Sequence, residues 1–373
     1  MGGQPEPVPT LFQPVQVGDV TLGHRVVLAP LTRIRANNKH VHTDLGVTYY
    51  AQRASVPGTL LIAEATFVAP YAGHISPHAP GVWNEEQTAA WKRIADTVHE
   101  KGSYLYMQIW ALGRAAIPAA LKAEKPDFPY VSASAIPLSD RPQDVPRALT
   151  IPEIKQYVEA FAQAARNAIH GAGCDGVEVH AAHGYLIDQF TQDVSNKRTD
   201  EYGGSIENRC RFALEAIDAV VAAVGAKKTA FRISPWSTFQ GQHMRMKDPV
   251  PTFTYLVSQV IERHPDIAYL SVVEPGVAGG INIEAQQGES NDFLRKLWLP
   301  RPFVSAGRYT RESAIKRADE TGELIAFGRR FISNPDLPLR LRKNIPLIPW
   351  ERATYTSPED PHGYIDYPFA EET

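Results

Sequence analysis

The chain has only two cysteines in 373 residues, Cys174 and Cys210, too few for a disulfide framework and not in metal-ligand spacing. Both read as packing residues of a reducing compartment. Excess charge is equally scarce: a formal net charge of -3 offers no basic field for nucleic acid and no acidic tail. No apolar run is long enough to span a bilayer. The segment from Met1 to Thr10 is rich in proline and lacks the basic and apolar regions of a signal peptide. Its Met-Gly-Gly start is a weak acylation signal with no second anchor. No low-complexity tract or interdomain linker interrupts the chain. These absences predict one domain over residues 1–373, cytoplasmic, acting on a small molecule rather than on nucleic acid or membrane.

What is present is a repeat of β-branched run, loop and amphipathic helix. The strand candidates are Val26 to Ala29, Thr59 to Ala63, Tyr104 to Ile109, Gly176 to His180, Thr229 to Ile233, Ala268 to Val273, Pro302 to Ser305 and Leu324 to Phe327. Eight such runs favour a closed (β/α)8 TIM barrel over an open doubly wound sheet. The helices between them have readable ends. Asn84 caps one whose apolar face is Trp91, Ile94, Ala95 and Val98, ending at Gly102. Thr150 and Glu153 make a capping-box pattern before Ile154, Tyr157, Phe161, Ala165 and Ile169. Phe212, Ala216, Val220 and Val224 mark another helix after Gly203-Gly204. Two segments fall outside the repeat. Residues 14–25, with Gly18-Asp19 between valines, predict an N-terminal β-hairpin that plugs the barrel floor. Residues 111–149, proline-rich and following the third strand, form a long insertion predicted to be a lid.

Barrel enzymes keep their chemistry at the strand exits. There the segment Gly176 to Phe190 places His180, His183 and Tyr185. Two neutral imidazole N–H groups can hold a carbonyl oxygen as it gains negative charge, and a protonated phenol beside them can supply a proton. The same His-x-x-His spacing also fits a metal pair, although such a pair needs a further carboxylate or thiolate ligand.

The last two strands both end in Gly-Arg, at Gly307-Arg308 and Gly328-Arg329. Glycine lets an anion approach the backbone N–H groups, arginine adds a bidentate contact, and barrels commonly bind phosphate after strands seven and eight. That phosphate belongs either to a substrate or to a flavin. No lysine stands at a strand end for Schiff-base chemistry. Gln108 offers donor and acceptor to a pyrimidine edge, and Arg232 can stabilise negative charge near flavin N1 and O2. Each also has an ordinary explanation, a buried network for Gln108 and a carboxylate partner for Arg232.

Further motifs are Ala29-Pro-Leu-Thr-Arg33, Tyr49-Tyr-Ala-Gln-Arg-Ala54, Gln108-Ile-Trp110, His180-Ala-Ala-His183-Gly-Tyr185, Tyr202-Gly-Gly-Ser-Ile-Glu-Asn-Arg209, Phe327-Gly-Arg-Arg-Phe-Ile-Ser-Asn-Pro-Asp336 and Gly363-Tyr-Ile-Asp-Tyr-Pro368. With these the chain from Leu11 to Phe369 resembles the Old Yellow Enzyme family of FMN-dependent ene-reductases, including the 12-oxophytodienoate reductases and fungal relatives. The resemblance implies FMN across the C-terminal face of the barrel. By matched position Pro30, Leu31, Thr32, Ala63, Gln108 and Arg232 would contact the isoalloxazine, and Gly307, Arg308, Gly328 and Arg329 would hold the phosphate. His180 and His183 would bind the substrate carbonyl, Tyr185 would protonate it, and Trp110 and Tyr355 would line the pocket. No metal is implied. The implied reaction is ping-pong: NAD(P)H reduces FMN, then hydride from flavin N5 and a proton from Tyr185 reduce the C=C bond of an α,β-unsaturated carbonyl compound. Some fungal relatives carry Phe at the tyrosine position and isomerise instead, so Tyr185 favours net reduction. Residues 71–80 and 276–292 are idiosyncratic where relatives shape the substrate pocket.

Overall fold

The structure, a computed structural model, describes residues 7–241 and 244–371. The reading of Met1 to Glu6 as neither signal nor acylation site lies outside the described residues.

Among the described residues fourteen strands run in chain order: β1 Val15–Val17, β2 Val20–Leu22, β3 Val26–Leu28, β4 Leu60–Phe67, β5 Tyr104–Trp110, β6 Val131–Ser132, β7 Arg147–Ala148, β8 Gly176–His180, β9 Thr229–Ile233, β10 Tyr269–Val273, β11 Val277–Ala278, β12 Ile281–Asn282, β13 Phe303–Ala306 and β14 Leu324–Phe327. Eight of them, β3, β4, β5, β8, β9, β10, β13 and β14, close a parallel barrel in chain order. All eight expected runs are there, each within a few residues of its expected ends. The principal flanking helices are α1 Asp44–Arg53, α2 Glu85–Glu100, α3 Pro118–Glu124, α4 Ile151–Arg166, α5 Leu186–Thr191, α6 Ile206–Val224, α7 Val250–Arg263, α8 Asp292–Trp298, α9 Arg311–Thr321, α10 Arg329–Ile332 and α11 Leu337–Lys343.

The helix signals fold as read. The Asn84 side chain accepts from the Gln87 N–H, and the Thr150/Glu153 capping box is complete. Ile169 falls just past α4, in a wider turn over Asn167–Gly171. Cys174 and Cys210 are free and buried.

The hairpin β1–β2 pairs Val15 with Leu22 and Val17 with Val20. Val17 and Leu22 pack with Leu60, Ile62, Val304 and Leu324 in the barrel interior, closing its floor as expected. Gly18 makes this close approach possible: at φ +52, a Cβ there would lie 2.0 Å from the Lys227 carbonyl oxygen.

The insertion after β5 is not a lid. No residue of 111–149 lines the cavity at the barrel mouth. Its polar groups tie it sideways instead: Ser132 Oγ donates to Gln189 of α5 at 2.9 Å, and Arg198, beyond α5, donates from Nη1 to the Ala133 carbonyl at 3.0 Å. Among the described residues no helix is long and apolar enough to cross a membrane.

Candidate active site

The C-terminal ends of the barrel strands surround a cavity of about 850 Å³, within the range of cofactor and ligand sites. Above the apolar floor the interior becomes polar: Gln108 of β5 stands opposite Glu178 of β8, Ser271 of β10 stands opposite Arg232 of β9, and Arg232 pairs with His180, two residues along β8 from Glu178. Gln108 donates its amide to Glu178 at 2.6 Å. The second Glu178 oxygen, the Arg232 Nη1 and the Ser271 hydroxyl are buried without a hydrogen-bond partner. Burial pushes the Glu178 carboxyl up and the Arg232 guanidinium down. Buried polar atoms in that state are unusual unless a ligand completes them.

At the exit of β8 the backbone orders both imidazoles. His180 Nδ1 accepts the Ala182 N–H at 3.3 Å, so the ring proton sits on Nε2. His183 has φ +58, in the left-handed region, and its N–H is anchored on Ser234 Oγ at 2.8 Å. Ser237 Oγ accepts the Phe239 N–H and lies 3.3 Å from His183 Nδ1, so its own proton can go to that nitrogen and leave Nε2–H as donor there too. The two rings are 6.0 Å apart at 73°. Tyr185 packs edge-on against His180 at 4.9 Å and Trp110 at 4.7 Å. Burial lowers the pKa of His180 well below its usual value, with repulsion from His183 and then Arg232 adding to it, and lowers that of His183 to about 3, with Arg232 adding, while burial pushes the Tyr185 phenol up. The site therefore holds two neutral imidazoles, with the His180 Nε2 proton committed as a donor, and one firmly protonated phenol.

Across the cavity Arg308, Arg329, Arg330 and Arg352 converge with Gly307 and Gly328. Among the described residues none of these four arginines has a carboxylate partner within ion-pair distance. Arg329 is lowered by burial first, with Tyr355 opposing and the other three arginines adding repulsion. A Cβ at Gly328 would come within 3.0 Å of Leu31, so the backbone is bare where the first turn of α10 points its N–H groups. A cluster of cations lacking an acid is a receptor for an anion.

The cavity brings together Pro30, Leu31, Thr32, Gln108, Trp110, His180, His183, Tyr185, Arg232, Gly307, Arg308, Gly328, Arg329 and Tyr355. Tyr355 reaches it because Arg33 and Arg35 grip the C-terminal segment, Arg33 Nε donating to the Tyr355 carbonyl at 2.9 Å and Arg33 Nη2 to Gly363 at 2.7 Å. Ala63 is the exception: it is buried away from the cavity, and Ala65 lines it instead. A register shift between Ala63 and Thr66 puts an extra residue into β4 there, which reverses which side chains face inward. Sequence reasoning also passed over Glu178, Ser234 and Ser237, and the wall residues Phe239, Trp350 and Arg352. Ser234 and Ser237 follow a barrel strand, and that position was their available signal. The segments 71–80 and 276–292 contribute Ile75, Val277, Gly279, Gly280 and Asn282 to the wall.

The donor set fits FMN: an anion clamp at one rim, unpartnered buried atoms of Glu178, Arg232 and Ser271 beneath the centre, and Gln108 lining the cavity beside them. A family model described as NADH:flavin oxidoreductase / NADH oxidase matches residues 10–347. The chain is 51% identical to a chanoclavine-I aldehyde reductase of Penicillium roqueforti, over 97% of each chain. It is 46% identical to an NADP-dependent oxidoreductase of Aspergillus flavus, again over 97% of both. The solved structure of Old Yellow Enzyme from a Pichia species matches with a TM-score of 0.88 at 39% identity, covering 98% of this chain and 95% of that one. Fold, donor set and relatives agree, and the chain belongs to the NADH:flavin oxidoreductase / NADH oxidase family as an FMN-dependent, NAD(P)H-using ene-reductase of the Old Yellow Enzyme type.

Proposed function

We propose that the acceptor is a small α,β-unsaturated aldehyde or ketone whose oxygen lies between His180 and His183 and whose α-carbon takes its proton from Tyr185. The observation that carries this reading is the tautomer lock on His180, which commits Nδ1 to the Ala182 N–H and leaves the Nε2 proton for a ligand. The chemistry FMN supplies when bound is hydride transfer, accepted from NAD(P)H and delivered to the β-carbon of the acceptor.

The protein's part is binding, polarisation and proton supply. Two imidazole N–H donors draw electron density from the C=C bond toward the carbonyl oxygen and stabilise the enolate-like charge that develops there. Tyr185 holds its proton until a carbanion of sufficient basicity forms, because burial opposes its ionisation. Trp110, Ile75, Phe239 and Tyr355 exclude water around the reacting carbons. Pro30, Leu31, Thr32, Gln108 and Arg232 would hold the flavin ring, and Gly307, Arg308, Gly328 and Arg329 its phosphate. Similarity to an aldehyde reductase and to an NADP-dependent enzyme favours enals as acceptors and NADPH as donor.

The test is anaerobic: holoenzyme bleached by NADPH is mixed with a panel of enals, enones and their saturated counterparts. Return of the yellow colour with unsaturated members only supports the proposal. Reoxidation by saturated carbonyls, or none by any unsaturated member, overturns it.

A further inference from the structure

Outside the cavity, three chain segments bring His40, His74 and Glu124 together. His40 lies in the loop between β3 and α1, His74 in the loop after β4, and Glu124 ends α3 of the insertion. Both histidines are buried, each 1% exposed. His40 Nδ1 donates to the Ala79 carbonyl at 2.6 Å, and His74 Nε2 donates to the Pro70 carbonyl at 2.7 Å. A carbonyl can only accept, so each ring proton is committed and the tautomers follow. His40 Nε2 and His74 Nδ1 are left as bare lone pairs, buried with no hydrogen-bond partner.

These two lone pairs face a carboxylate. Glu124 lies 3.5 Å from His40 Nε2, and the three potential ligand atoms lie within 4.8 Å of one another. Three acceptors share one space with no donor among them, an arrangement that is costly when buried. A single proton on His40 would satisfy Glu124 and still leave the His74 lone pair without a partner. A cation satisfies all three. Imidazoles that ligate metals characteristically donate their other N–H to a carbonyl or carboxylate, as both rings do here.

We propose that His40, His74 and Glu124 bind a divalent cation of the zinc class, with water completing the shell. Two imidazole nitrogens and one carboxylate oxygen are a ligand set such ions accept. Bond lengths of about 2.0–2.2 Å bring ligand atoms to within about 3.5 Å of one another, so the cluster must contract by roughly an ångström. Glu124, its side chain 32% exposed at a helix end, has the freedom to supply that movement.

The site is separate from the flavin cavity but mechanically joined to it. Ile75, the residue after His74, lines the cavity, and the Ile117 N–H at the start of α3 holds the His74 carbonyl at 2.8 Å. A bound ion would fasten this part of the pocket wall to the insertion.

The experiment uses flavin-loaded protein stripped of metal with a chelator and titrated calorimetrically with Zn²⁺ alone. In parallel, Co²⁺ alone is followed through ligand-field absorption to the red of the flavin bands. The expected result is one ion per chain at micromolar or tighter affinity, with a rise in melting temperature and an unchanged flavin spectrum. Glu124→Gln, at a partly exposed position that should tolerate it, is expected to weaken binding by at least about tenfold, and His74→Gln to abolish it. Absence of saturable binding overturns the proposal. Binding undiminished in both variants also overturns it, since the ion then sits elsewhere, for example on His180 and His183. Flavin content and enone reduction are read separately, so failure here leaves the catalytic reading intact.

Discussion

Gln108 and Glu178 stand opposite each other on neighbouring strands, joined by an amide-to-carboxylate hydrogen bond of 2.6 Å inside the barrel. The bond commits one amide hydrogen of Gln108 and fixes the side chain where it faces the cavity. Glu178→Ala should leave that amide partly unsatisfied and lower stability by about 1–3 kcal/mol. It should also weaken FMN binding, and Glu178→Gln should restore much of both. Urea unfolding of the flavin-free protein and fluorescence of released FMN measure the two effects. Equal FMN affinity in wild type and Glu178→Ala would remove Glu178 from the argument.

Tyr185→Phe should leave reduction by NADPH near the wild-type rate, because that half of the cycle needs no proton from this residue. Oxidation by an enone should slow by about 10²–10⁴, the range for a lost general acid. Stopped-flow traces of the two half-reactions separate these outcomes. An unchanged oxidative rate would require another proton donor.

His180 and His183 both stay neutral through the physiological range, His183 with a pKa of about 3. Binding of a para-substituted phenol should therefore show no inflection near the ordinary histidine pKa of about 6.5. Affinity should instead rise with pH only as the phenol itself ionises. Replacing either imidazole with Leu should cost about 1.5–3 kcal/mol in affinity for the phenolate. The charge-transfer band on titration reports both. An inflection near neutral pH that vanishes with the substitutions would show that one ring ionises.

His24 gives a stability test far from the chemistry. Burial, with Arg342 adding repulsion, lowers its pKa to about 4, while its Nε2 meets Thr59 Oγ1 at 3.0 Å. The unfolded chain takes up this proton near pH 6.5, but the native state resists until about pH 4. Unfolding in that window binds protons, so the His24 contribution is intact above about 6.5 and shrinks as pH falls, by up to about 1.4 kcal/mol per pH unit. His24→Gln should flatten the acid side of the stability curve. Parallel curves for the two proteins would contradict the assignment.

The barrel was readable because each strand is a short β-branched run whose periodicity repeats, and the repeat itself carries the topology. The imidazole pair and the Gly-Arg dipeptides were readable because they sit at strand exits. Ala65 was not, since the register shift after Ala63 depends on pairing with β5 rather than on any local signal. The insertion misled for a related reason: a proline-rich loop after a strand suggests a cover, but where it folds is set by Gln189 and other distant partners. Ser234 and Ser237 owe their role to the left-handed backbone of His183, which no side-chain pattern announces.

The hairpin under the barrel has a kinetic consequence. Val17 and Leu22 join a floor of packed side chains, the cavity lies at the strand exits, and under the proposed reaction the nicotinamide and the acceptor queue for that one space. Crowding by either visitor then delays the other, and a surplus of the electron-poor partner should slow the turnover it is meant to complete.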